Sequence, residues 1–121
     1  QIFLIKKYLE KKFTTKVISC KIIRNENQLP LSSRNNLLNN RSLKKSEKIS
    51  KLLLQFKKRI IFNFKNINLL NDYKNKIDQL CDKIEYLEIR NKNNLSNKIN
   101  CKNFKIFIAY KINKIRLIDN L

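Results

Sequence analysis

The chain has 121 residues and carries 28 Lys and Arg against 9 Asp and Glu, for a formal charge of +19 and a pI near 10.1. This length allows one compact domain with a tail and excludes two independent cores, leaving no room for a typical enzyme fold. His is absent and the three Cys are far apart, which excludes a Cys/His zinc site and fits a reducing compartment, while the charge asks for a polyanionic partner.

No stretch approaches the ~20 apolar residues of a membrane-spanning helix, so no integral span is expected. Gly is absent and Pro occurs once, at position 30. Hairpin turns and glycine phosphate loops are then unavailable and long helices unopposed, which gives an all-α expectation. Abundant Lys, Asn and Ile fit an adenine- and thymine-rich genome. Gln1 is not an initiator, so the chain reads as a processed or incomplete piece.

In chain order, Ile2 to Val17 reads as a basic amphipathic helix with Ile2, Phe3, Ile5, Leu9 and Phe13 along one side, suited to a membrane surface, RNA or a protein neighbour. Residues 16–24 are β-branched and extended, with no obvious strand partner. Residues 25–40 are polar, contain Pro30 and have linker chemistry. Alone they are expected to be disordered, since little apolar area offsets the ~1 to 2 kcal/mol per residue of backbone ordering. Residues 1–41 are thus read as an N-terminal extension and 42–121 as a helical domain.

A helix from about 44 to 64, capped by Ser42 or Ser46, carries Ile49, Leu52, Leu53, Phe56 and Ile60 on one stripe. Asn66 to Asn71 breaks it, and Asn71 or Asp72 caps the next. A second helix over 73–90 follows from Ile77, Leu80, Cys81, Ile84 and Leu87. A third over 103–121 follows from Phe104, Phe107, Ile108, Ile112, Ile115 and Ile118. Together they predict a small bundle built on a long antiparallel helical hairpin with an extended basic tail. The polar connector from Arg90 to Asn103 is the expected place for recognition, with Asn91, Asn93, Asn94 and Asn97 as a solvated insertion.

Catalysis is not expected: there is no His, Ser and Cys lack a base, and Asp78, Asp82, Glu85 and Glu88 read as helix-surface charges opposite Lys74, Lys76 and Lys83. Neither a cofactor nor a small-molecule substrate is anticipated.

The spacing Ile77-x-x-Leu80-Cys81-x-x-Ile84-x-x-Leu87 looks like the V-x-L-L-T-x-x-I-x-x-L helix of small ribosomal subunit protein fifteen, and Asn113 to Leu121 is similar to its Q-R-R-K-L-L-D-Y-L. The chain resembles that family over roughly residues 57–121, with Lys58 to Phe64 as its first helix and Leu70 to Asn75 departing from its D-T-G-S-x-E. The resemblance implies a non-enzymatic constituent of an organellar small ribosomal subunit that braces an rRNA helical junction beside neighbouring ribosomal proteins. The mitochondrial ribosome is expected, with the plastid ribosome as alternative. It places Lys98, Asn100, Lys102 and Asn103 at a minor-groove contact and Asn120 on the family's tyrosine. Lys105, Lys111, Lys114 and Arg116 would meet phosphates from the last helix. Two rival readings are a basic helical accessory subunit of an organellar membrane or protein complex, and a different basic ribosomal protein.

Overall fold

One helix is long enough to organise everything that packs on it. Ile49, Leu53, Phe56 and Ile60 recur at helical spacing and are buried, and the 23 residues Asn40–Phe62 form it as α2. The structure, a computed structural model, describes residues 2–63 and 68–121. Before α2 come α1 (Ile2–Lys12) and one 3₁₀ turn (Ser33–Leu37). After it come α3 (Asn68–Asp78) and the strands β1 (Lys83–Asn91), β2 (Phe104–Ile112) and β3 (Ile115–Asn120).

The all-α expectation is therefore overturned. The strands form an antiparallel sheet in the order β1-β2-β3, with α2 and α3 on one face. In place of the helix over 73–90, α3 ends at Asp78 and β1 begins at Lys83. In place of the helix over 103–121 there is the β2–β3 hairpin. Phe104, Ile106, Ile108, Tyr110 and Ile112 recur at every second position and are all buried, while of the residues between them Lys105, Phe107 and Lys111 are partly exposed and the small Ala109 is buried. That period of two, rich in β-branched and aromatic residues, matches a half-buried strand better than the helical template it also satisfies.

The hairpin needs no glycine. Asn113 and Lys114 sit at φ 48° and 66°, the two left-handed positions of a tight turn. Asn113 is suited to this, because a short amide side chain tolerates the left-handed region. Its Nδ2 also donates to Ser42 Oγ at 2.8 Å, tying the turn to the start of α2.

Neither Ser42 nor Ser46 caps α2. Asn39 does, its Oδ1 accepting from the Ser42 amide at 2.9 Å. Both serines are buried instead, and Ser46 Oγ donates to the Ser42 carbonyl at 3.0 Å. The expected break over Asn66 to Asn71 begins outside the described residues, as does residue 64. From Asn68 on that stretch is already α3, so Asn71 and Asp72 lie inside a helix.

The core joins both layers. Phe56 stacks on Tyr73 with ring centroids 4.9 Å apart, and Ile49, Leu53, Ile77, Ile106 and Ile108 are closed to solvent. Each such side chain contributes about 1.5 to 3 kcal/mol of transfer free energy. Tyr110 is pushed well above the usual tyrosine range by burial, against the opposing hydrogen bond from Ser46. α1 buries none of its residues, and Leu4 and Tyr8 are 62% and 63% exposed. No described helix is long and apolar enough to cross a membrane.

Candidate functional site

The segment read as a linker is held by the chain's own side chains. Arg24 pairs across a β-bridge with Pro30, and between them the Asn25 amide donates to the Leu29 carbonyl and the Gln28 amide to the Asn25 carbonyl, both at 2.9 Å. The Arg24 guanidinium ties this turn to β3. Nη1 reaches Gln28 O at 2.9 Å, and the two Nη atoms meet the two Asp119 carboxylate oxygens at 2.8 Å each. A further bond runs to Asn120 O at 3.3 Å. Asp119 is buried, so the planar fork is its natural partner.

α2 holds the turn from the other side. Asn25 Nδ2 donates to Glu47 Oε1 at 2.9 Å, and Lys51 Nζ reaches Asn27 Oδ1 at 2.7 Å. Leu29 is buried, which gives the loop an apolar anchor. Its cost sits at Gln28, held at φ 70° in a region that favours glycine.

Beyond this anchor the chain presents Ser32, Ser33, Arg34 and Asn35. Ser32 Oγ accepts from the Arg34 amide at 3.2 Å, Asn35 Nδ2 donates to Pro30 O at 2.9 Å, and Arg34 Nη1 reaches Arg116 O on β3 at 3.4 Å. These bonds shape one wall of a cleft of about 560 Å³, whose lining includes Asn25, Ser32, Ser33, Asn35 and Asn36. No carboxylate and no base is among the described residues that line it, and Arg34, exposed on the same turn, faces the adjoining cleft bordered by Tyr110 and Asp119. Such a surface can bind and orient an anionic group but offers no general base.

The residues singled out for RNA contact are dispersed. Lys98, Asn100, Lys102 and Asn103 lie in the β1–β2 connection, Lys105 and Lys111 on β2, Lys114 in the hairpin turn, and Arg116 and Asn120 on β3. Lys111 and Arg116 face each other across the ladder and share Glu85, at 3.6 Å and 2.6 Å. Hydrogen bonding from Arg116 holds the Glu85 carboxyl below its ordinary range. Asn103 Nδ2 donates to Asn91 Oδ1 at 3.1 Å, while the Asn120 carbonyl accepts from Arg24. Only Lys102 and Lys105 of the nine line one cleft, described below. The loop Ser32–Asn35 was not among the residues singled out. The available signal was two hydroxyls and a guanidinium in a row between the buried Leu29 and the helix-capping Asn39.

The family model described as pantoate-beta-alanine ligase matches residues 1–121. A pantothenate synthetase of Flavobacterium psychrophilum is 35% identical over 100% of this chain and 44% of its own length. One from Wigglesworthia glossinidia brevipalpis is 40% identical over 93% of this chain and 42% of its own length. Among solved structures, pantothenate synthetase from Thermus thermophilus superposes with a TM-score of 0.83 at 22% identity, over 99% of this chain and 45% of that one. Pantoate-beta-alanine ligase from Francisella tularensis, complexed with beta-gamma ATP and beta-alanine, gives 0.72 at 34% identity, over 100% and 39%. The chain thus spans less than half the length of these relatives.

These matches replace the likeness to small ribosomal subunit protein fifteen. The apolar spacing behind that likeness crosses from α3 into β1, and its closing motif is a hairpin turn and a strand, so neither half is the helix it imitated. With it go the roles of ribosomal constituent and rRNA brace, the ribosomal partners, and the mitochondrial or plastid ribosome as location. The rival of a membrane-complex accessory subunit finds no support either. The relatives are synthetases and ligases, and one was solved with small molecules bound, which also corrects the expectations of no enzyme and no small-molecule substrate.

Proposed function

Because the chain belongs to the pantoate-beta-alanine ligase family, we propose that it supplies part of a catalytic unit that joins pantoate to β-alanine with ATP. An amide does not form spontaneously from a carboxylate and an amine in water. The carboxylate must first be activated, and ATP supplies that activation by transferring a phosphorus-bearing group to it as the rest of the nucleotide leaves; the amine then displaces that group as the amide bond forms. The protein's share is to hold a polyanion still, align the carboxylate with it, and exclude water.

In this reading the loop Ser32–Asn35 holds phosphate oxygens. Ser33 offers a hydroxyl at the cleft, among whose described lining residues there is no carboxylate, and Arg34 offers a guanidinium from the adjoining side of the same turn. The observation that carries the reading is the anchoring. Arg24 fixes the preceding turn through Gln28 O and Asp119, and Asn35 to Pro30 O and Arg34 to Arg116 O tie the loop to that turn and to β3 before any ligand arrives. Preorganised donors lose little on binding and act fully on charge.

Calorimetric titration with ATP tests it. The chain should bind ATP, and Arg34→Gln should weaken binding about tenfold or more, as for loss of one charge-assisted hydrogen bond. Equal affinities would remove the loop from the site.

A further inference from the structure

A second cleft, of about 530 Å³, opens between the C-terminal half of α2 and the β1–β2 connection. It is lined by Lys57, Lys92, Lys102 and Lys105 from three separate segments, over a floor that includes Phe104 and Leu121. We propose that this cleft binds an organic polyphosphate, its phosphates among the four ammonium groups and its organic part on the apolar floor.

Charge balance is the first argument. Among the described residues four cations are paired with carboxylates: Arg24 with Asp119, Arg90 with Glu88, and Lys111 and Arg116 with Glu85. Among the described residues lining this cleft there is no Asp or Glu, and none of the four lysines appears in those ion pairs. Four like charges around one concavity repel one another, and a multivalent anion turns that repulsion into attraction.

Architecture is the second. Lys92 Nζ donates to Lys102 O at 3.4 Å, and the Asn91 side chain bonds Lys98 O at 2.8 Å and Asn103 Nδ2 at 3.1 Å, so the connection is cross-braced. Phe104 and Leu121, each 9% exposed, give it a firm apolar base. A free phosphate would use the rim alone, whereas an organic polyphosphate uses rim and floor.

This cleft is separate from the loop Ser32–Asn35. Leu43 borders one and Lys57 the other, which places them roughly 21 Å apart along α2. The proposal does not rest on the ligase reading.

Amide NMR of the whole chain, titrated separately with ADP, with pyrophosphate and with sodium sulfate at ionic strength matched by sodium chloride, tests it. ADP should shift Asn93, Cys101 and Lys102 along one saturable curve, at lower concentration than pyrophosphate does. The Lys102→Gln/Lys105→Gln pair should weaken binding about tenfold, while Lys102→Arg/Lys105→Arg retains it. Sulfate reproducing the shifts, ADP binding no tighter than pyrophosphate, or the glutamine pair binding unchanged would each overturn the proposal. Shifts confined to Ser33 and Arg34 would overturn it too, yet leave the ligase reading standing.

Discussion

Arg24 and Asp119 are 95 positions apart and meet through two bonds of 2.8 Å, with the Asp119 side chain 3% exposed. Such a pair gives little net stability against an apolar replacement, but losing one member strands a buried charge. Arg24→Met should therefore cost about 3 kcal/mol in urea unfolding, and Arg24→Met/Asp119→Leu should recover much of it. If the double variant is no better than the single, the Asp119 charge is not what the arginine compensates. Glu85 and Arg116 are the contrast, a pair at the surface. The Glu85 carboxyl is lowered, so what stability it adds is present above the ordinary glutamate range and fades as pH falls through the depressed value. Facing solvent, it adds little.

At the scale of elements, the β2–β3 hairpin turns on two left-handed residues, and Lys114, with φ 66°, is the less suited. Lys114→Gly should raise stability by about 1 kcal/mol, read as a shift in urea midpoint at constant slope. No gain would mean that the turn is not under strain at that residue. The same turn shows what local sequence hides. Absence of glycine argues against hairpins only if asparagine and lysine refuse positive φ, and here they accept it. In β2 nearly every position is apolar, so helical and strand spacings are both satisfied, and the alternation of Phe104, Ile106, Ile108, Tyr110 and Ile112 was the better discriminator. α2 was legible because a polar face persists through all its turns. The loop Ser32–Asn35 was not, since the turn it follows is held by Asp119 and Glu47, far along the chain, while its composition is that of any linker.

Taken whole, the molecule carries +19 charges on 121 residues and repels itself. Raising salt from ~0.01 to ~0.15 M shortens the screening length from about 30 to 8 Å. The thermal midpoint should rise by about 4 °C, as for a gain near 1 kcal/mol. A falling midpoint would mean that the few ion pairs outweigh the repulsion. The sheet has two edges, and the chain treats them differently. β3 gives carbonyls to Arg24 and Arg34. β1 carries Lys83, Glu85, Glu88 and Arg90, and its ladder slips between Ile84 and Tyr86. A strand from another molecule arriving at β1 finds a kinked template studded with charge, so ordered aggregation by strand addition is checked at its first step.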